Sequence, residues 1–240
     1  MFQDNKTYFE KSLSLNYQAT EKEFNAAVQK AYDLLSQYLN PAQGTQSALD
    51  LGCGPGAFSK ALSRLGYTVT GVDYSDTFIS IASKNLSGLS VDLRMMDIRN
   101  IGRFPAETFD IINCTGDTLL YLSSEQDIKN LLEHCHRVGK YHGKLLFEFR
   151  TFDSIPAPEN RTIIKDYGDH RKTLILEYDE DFVYTTDINI DCTTNTETKS
   201  TSRKLRLSDE RFLSMLSACG FQLLAHAHTN GRTTGTAEKR

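Results

Sequence analysis

Ala48-Leu49-Asp50-Leu51-Gly52-Cys53-Gly54-Pro55-Gly56 is the stretch whose reading decides the fold. The apolar run Ala48, Leu49 and Leu51 predicts a short buried strand ending in a glycine-rich turn. Phe58, Ala61, Leu62 and Leu65 follow at helical spacing, so the turn opens an amphipathic helix. Strand, glycine turn and helix together bring backbone N–H groups and a helix N-terminus close to an anionic or polar ligand. Glycine suits that turn because a Cβ would hold the ligand off and because some positions need φ > 0. A lone G-x-G-x-G is also compatible with an ordinary tight turn, so the next strand carries the decision.

That strand, Tyr67-Thr68-Val69-Thr70-Gly71-Val72, ends in Asp73. The spacing from the turn to Asp73 is one βαβ unit, about twenty residues, which places an acidic side chain where a ribose presents its hydroxyls. A carboxylate accepts two hydroxyl hydrogen bonds at once.

With these residues in place, D-L-G-C-G-P-G followed by G-V-D-Y-S resembles the class I S-adenosylmethionine-dependent methyltransferases of the small-molecule type. Position 57 is Ala, followed by Phe58 and Ser59, so the register departs from the G-x-G-x-x-G of NAD-binding proteins. The resemblance extends from about residue 48 to residue 155. It implies a Rossmann-like, doubly wound α/β fold with a mostly parallel sheet and helices on both faces. It implies S-adenosyl-L-methionine as cofactor, held by Asp50, Gly52, Cys53, Gly54, Gly56, Asp73, Tyr74, Asp97, Ile98 and Cys114. Asp97 stands where the family accepts a hydrogen bond from the adenine amino group, and Ile98 where the next backbone N–H meets the ring. The alternative for Asp97 is that it only begins a turn.

Charge and composition bound the function classes. Net charge is −4 with no long basic run, which argues against a nucleic-acid partner. Apolar stretches are strand-sized, which argues against a membrane span. The start, Met1-Phe2-Gln3-Asp4-Asn5-Lys6, lacks the basic-then-apolar order of a signal peptide. Five scattered cysteines without C-x-x-C pairs fit reduced thiols in a cytoplasmic setting. No metal is expected: His226 and His228 share a face, but no acidic cluster accompanies them in sequence.

The chain divides into four expected parts. Residues 1–45 are a helical leader, with an apolar face from Tyr17 to Leu39 stopped by Pro41 and Gly44, and with Tyr8 or Tyr17 able to cover a sulfonium cation. Residues 46–160 are the cofactor-binding core, with further strands at Val91–Met96, Phe109–Cys114 and Gly143–Phe149. A Ser123/Gln126 capping box is expected to open the helix carrying Ile128, Leu131, Leu132 and Cys135. Residues 161–207 read as an antiparallel β insertion after the fifth strand, covering the acceptor site, with runs at Thr173–Tyr178, Phe182–Ile190 and Thr196–Leu207. Residues 208–240 complete the core with a helix from Ser208 and the apolar strand Phe221–Ala225. The tail from Thr229 is too polar to read as an internal strand: Thr233-Thr234-Gly235-Thr236 is either a poor version of the family's last strand or the sheet is one strand short.

Methyl transfer from a sulfonium is an in-line displacement, so alignment dominates, and a base is needed only where the acceptor must lose a proton. Asp117, Tyr121 and Arg150 are the candidates at strand ends, with Glu148 behind them. Asp117 is a general base, an acceptor-orienting carboxylate or a local cap. Tyr121 points its hydroxyl at the acceptor or packs in the core. Glu148 is a structural acceptor for backbone groups. Arg150 can hold a carboxylate through two parallel hydrogen bonds, or forms a surface ion pair with Asp153 or Glu148. The stretches C-T-G-D-T-L-L-Y-L and F-R-T-F-D-S-I resemble the glycine and sarcosine N-methyltransferases, in which the matching arginine holds the amino-acid carboxylate. The expected acceptor is a small molecule, an amine or amino acid, with O-methylation, a protein or nucleic-acid acceptor, or a catalytically inactive cofactor-binding module as the alternatives.

Overall fold

The computed structural model describes residues 5, 20–152, 155, 157–166, 168 and 170–240. Tyr8, Tyr17 and Asp153, named above, lie outside the described residues. Helix α1 (Glu21–Tyr38) opens on a capping box in which Thr20 and Glu23 satisfy each other's backbone N–H groups. Its face Phe24, Val28, Ala31 and Leu35 is buried. Strand β1 (Ser47–Leu51), helix α2 (Ala57–Arg64) and strand β2 (Thr68–Asp73) follow as the βαβ unit that the glycine turn announces. Ala48 is buried with residues of α1 and α2, and Leu49 and Leu51 in a second cluster with Val72 of β2, because a parallel strand covered on both faces needs a continuous apolar run.

Helix α3 (Asp76–Asn85), strand β3 (Val91–Met95), a 3₁₀ turn (Ile98–Arg103), strand β4 (Phe109–Cys114), a second 3₁₀ turn (Thr118–Tyr121), helix α4 (Glu125–Val138) and strand β5 (Gly139–Arg150) complete the first half. The cap of α4 is Ser124, which accepts from the Asp127 N–H, so the capping serine lies one residue later than Ser123. Later come helix α5 (Asp209–Ala218), capped by Ser208, and strands β10 (Phe221–Thr229) and β11 (Arg232–Lys239). The sheet order is β10-β11-β5-β4-β1-β2-β3. Strand β1 pairs in parallel with β2 on one edge and β4 on the other. The order therefore reverses between β1 and β4, and open α/β sheets bind ligands in the crevice at the carboxyl ends on either side of such a point.

The tail, expected to be too polar for an internal strand, is one, so of the two alternatives the sheet has its last strand and is not one strand short. Residues 232–239 are an internal strand, antiparallel to both β5 and β10. Thr233, Thr236 and Ala237 are buried, and Lys239 extends its amine to the Gly139 carbonyl at 3.0 Å. Small side chains suffice because flanking strands supply the burial, and the Thr233 hydroxyl donates a hydrogen bond to Asp209 Oδ1. Strand β10, the more apolar of the two, is the edge strand and leaves Leu223 and Leu224 exposed.

The insertion forms a separate antiparallel sheet of four strands rather than three runs: β6 (Glu159–Asp166), β7 (His170–Tyr178), β8 (Phe182–Asp191) and β9 (Thr196–Leu205), paired in chain order. Edge strand β6, missed in sequence, is almost wholly exposed, so it lacks the alternation that marks a half-buried strand. Tyr178, Val183, Leu205 and Leu207 enter the same apolar cluster as Phe147, Phe149 and Phe212 under α5, so the second sheet shares the core of the first.

Gly235 marks the tightest point of the internal strand. A Cβ there would stand 2.5 Å from the Ala225 carbonyl and 2.6 Å from the Phe147 ring. Gly235→Ala is therefore expected to lower unfolding free energy by about 1–3 kcal/mol, read from the urea midpoint.

Candidate active site

The glycine turn divides its labour. Gly52, Gly54 and Gly56 have φ of 66°, 51° and 94°, a region that side chains other than glycine rarely adopt. A Cβ on Gly52 would strike the Thr118 side chain at 2.7 Å, and one on Gly56 would strike Leu86 at 2.9 Å. These two glycines serve packing. A Cβ on Gly54 would meet nothing nearer than the Gly52 carbonyl at 4.0 Å, so Gly54 faces open space. The Cys53 N–H donates to Val72 at 2.9 Å and anchors the turn to β2.

Two buried carboxylates stand behind the turn. Asp73 accepts the Gly54 N–H on one oxygen and the Ser75 N–H on the other, both at 2.9 Å. Burial raises its pKa, and those backbone donors oppose the rise. Asp50 accepts from Ser59 Oγ at 2.6 Å and Asn113 Nδ2 at 2.8 Å. Loss of solvent outweighs both bonds, and its pKa is pushed up to about 6. Cys53 and Cys114 are buried, which raises both thiols well above their ordinary range and keeps them protonated. Tyr74 is half-buried directly after Asp73. Asp97 caps the 3₁₀ turn that Ile98 begins: it accepts the Arg99 N–H and pairs with the Arg99 guanidinium at 2.6 Å.

A second charged group gathers at the ends of β4 and β5. Asp117 is buried with φ of 68°, and its side chain makes no capping bond, which removes the local-cap reading. Its Oδ1 accepts the Arg150 backbone N–H at 2.9 Å and Arg232 at 3.1 Å, while Oδ2 accepts Lys204 Nζ at 2.8 Å. Burial pushes its pKa up, but Lys204, Arg232 and Arg150 pull it below the ordinary value. A carboxylate stabilised in this way is a poor proton acceptor. Glu148 accepts the Gly116 backbone N–H at 3.1 Å and Arg232 Nε at 2.6 Å, so the Glu148 half of the alternative reading of Arg150, a surface ion pair with Asp153 or Glu148, goes to Arg232. Arg150 is exposed, and among the described residues its guanidinium makes no hydrogen bond or ion pair. Tyr121 is half-buried, with Lys204 Nζ 5.1 Å from its ring centroid. The Asn5 amide bridges the Tyr121 carbonyl and both backbone groups of Arg203 on β9.

Sequence reasoning missed Ser59, Asn113, Lys204 and Arg232. Asn113 had a signal, a lone amide in the apolar run F-D-I-I-N-C. Lys204 and Arg232 sit in polar stretches with nothing to distinguish them from solvated charges. His226 and His228 lie 2.9 and 3.7 Å from the Asp209 carboxylate, beside an open groove of about 830 Å³ bordered by Arg206, Asp209, Arg211 and His228. Among the described residues no group of three His, Cys, Asp or Glu side chains could hold a metal. No helix is long and apolar enough to cross a membrane among them.

Residues 48–143 match the methyltransferase domain family. The ubiquinone biosynthesis O-methyltransferase of Pseudomonas syringae pv. tomato is 32% identical over 104 residues, 42% of this chain and 43% of that protein. The chain thus spans less than half the length of that curated relative. The structure of the CcbJ methyltransferase from Streptomyces caelestis is similar over 99% of both chains, with a TM-score of 0.83 at 12% identity. CalS10 from Micromonospora echinaspora, an amino pentose methyltransferase solved with S-adenosylmethionine bound, is similar over all of this chain and 98% of its own, with a TM-score of 0.69 at 15% identity. At such identities these likenesses show the fold.

The Asp50 shift gives a signed prediction. A carboxylate whose native pKa stands at about 6, against 3.8 ordinarily, costs the folded state nothing below pH 4 and its full penalty above pH 6. Asp50→Asn should therefore gain stability relative to the unmodified protein by roughly 3 kcal/mol as pH rises from 4 to 7. Urea unfolding of both proteins across that range measures the difference.

Proposed function

We propose that this chain, whose residues 48–143 match a methyltransferase domain, is a class I S-adenosylmethionine-dependent methyltransferase that methylates a small-molecule acceptor. The carrying observation is the open space at Gly54, at the carboxyl end of β1 with Asp73 bonded to its N–H. A turn without a Cβ there lets a ligand approach the backbone. When bound, the cofactor supplies an electrophilic methyl group carried on a sulfonium. We assign Asp73 to the ribose hydroxyls, since each carboxylate oxygen keeps a lone pair beyond its backbone bond. Asp97 and Ile98 are assigned to the adenine, Gly52, Cys53, Gly56, Tyr74 and Cys114 to the walls, and Asp50 to long-range attraction of the cation.

The proposed acceptor is an amine or amino acid, with Arg150 holding its carboxylate. Asp117 and Glu148 are already neutralised by Lys204 and Arg232, which supports a guanidinium at Arg150 with charge to spare. Asp117 orients by holding the Arg150 main chain instead of taking the acceptor's proton, and Tyr121 lines the same end. An amino pentose methyltransferase among the neighbours supports nitrogen as the nucleophile. The curated O-methyltransferase relative favours a second reading, oxygen. Residues 1–45 and 161–207 are proposed as covers over the 46–160 core completed by 208–240, a roofed site that excludes a duplex or folded protein. Five free cysteines support a reducing, cytoplasmic setting.

Calorimetry should show one S-adenosylmethionine or S-adenosylhomocysteine per chain, and no binding would sink the reading. Gly54→Ala should lose that binding while the backbone strain costs only about 1–2 kcal/mol of stability. Gly56→Ala should lose more stability, because its Cβ also strikes Leu86.

Turnover of labelled cofactor across amines, amino acids, hydroxylated aromatics and thiols identifies the acceptor. Arg150→Lys keeps the charge but not the planar fork, so acceptor kcat/KM should fall by about tenfold or more. An unchanged KM and kcat would reject the Arg150 assignment. Activity confined to uncharged phenols or thiols would reject the amino-acid acceptor and leave methyl transfer standing.

A further inference from the structure

Lys204 belongs to the second sheet, 87 residues from Asp117 in the chain, yet its amine lies 2.8 Å from the Asp117 carboxylate. Both side chains are largely withdrawn from solvent, at 16% and 8% exposure. Asp117 holds a left-handed backbone without a cap, so side-chain contacts keep it in place. Its other oxygen takes the backbone N–H of Arg150, the last residue of β5. We propose that Lys204 is a positioning residue for methyl transfer: through Asp117 it fixes the Arg150 main chain, and it ties the four-stranded sheet over the acceptor end of the site. This rests on the reading of Arg150 as the acceptor's carboxylate ligand.

The physical reason is the imbalance left when one partner of a buried pair goes. Asp117 keeps Arg232, but at 3.1 Å and on the oxygen already shared with Arg150. Without Lys204, Oδ2 stays buried and unpaired, and the carboxylate gains by rotating towards water. That rotation releases the Arg150 N–H. It also frees the edge of β9 at Tyr121, where Lys204 covers the ring and the neighbouring Arg203 is bridged to the Tyr121 carbonyl by Asn5. Loss of a lysine that only stabilised the second sheet would loosen that sheet and leave Arg150 untouched.

Residue-resolved amide exchange of the full chain, free and saturated with S-adenosylhomocysteine, separates these. In Lys204→Met the Arg150 amide should exchange about tenfold faster or more, with the 118–122 turn following it. The Gly54 and Ser75 amides, bonded to Asp73, should keep their protection, and S-adenosylhomocysteine affinity should stay within about twofold. Lys204→Arg should restore protection at Arg150. An unchanged Arg150 amide in Lys204→Met, or equal loss at Gly54 and Arg150, would overturn the proposal. Should the Met variant not fold, Lys204→Gln, which keeps a donor without the charge, carries the same comparison. Absence of S-adenosylhomocysteine binding by the unmodified protein would remove the methyltransferase reading, while exchange in the free chain would still decide the role of Lys204.

Discussion

Strand β1 is hydrogen-bonded along both edges, to β2 and to β4, and its last four residues are buried. Much of the molecule follows from that position. A strand with neighbours on both sides and no exposed face needs helices on both sides of the sheet, which α1 and α2 on one face and α4 and α5 on the other provide. Because the chain runs outward through β2 and β3 and then returns to β4, the loops after β1 and β4 part company and leave a crevice between them. The glycine turn and the 115–117 turn border it, and Thr118 packs against the place where a Gly52 Cβ would be. The two turns are therefore built against one another.

Three buried carboxylates around that crevice show how one residue type takes different electrostatic states. Asp50 and Asp73 have only neutral donors, backbone N–H, hydroxyl or amide, and burial raises both. Asp117 has a lysine and an arginine within hydrogen-bonding distance and is lowered despite comparable burial. Neutral donors replace only part of the water that a carboxylate loses, whereas cations supply an attraction that grows as the surroundings exclude solvent. The first pair stands behind the glycine turn with only neutral donors for partners. Asp117 is matched by Lys204 and Glu148 by Arg232, and the exposed Arg150 guanidinium makes no ion pair among the described residues.

Local pattern was enough for the strand–turn–helix of residues 47–64, for Asp73 at the end of β2, and for the apolar faces of α1 and α4. In each case the burial belongs to the element itself and repeats at its own period. It failed at the edges of that logic. Strand β6 has no buried face, so no alternation marks it. Strand β11 is internal yet built of Thr, Gly, Ala and three charged residues, one of them a lysine whose amine reaches a carbonyl of the neighbouring strand. Strand β10, the apolar one, lies outside it. The α4 cap fell one residue from its expected place because adjacent serines, Ser123 and Ser124, both satisfy the pattern.

The sequence by itself determined the fold class, the glycine turn and the acidic residue opposite it, because those depend on groups within one βαβ unit whose spacing is set by strand and helix lengths. Only the tertiary structure decided which charges act together. Asp117, Glu148, Lys204 and Arg232 come from four separate stretches, and no local periodicity links a lysine on β9 to a turn after β4. Their partnership arises because the second sheet packs on the first, and because a carboxylate buried by that packing must find cations wherever the fold places them. The same packing decided that Asp117 is an anchor and not a cap, and that Glu148 belongs to Arg232 and not to Arg150.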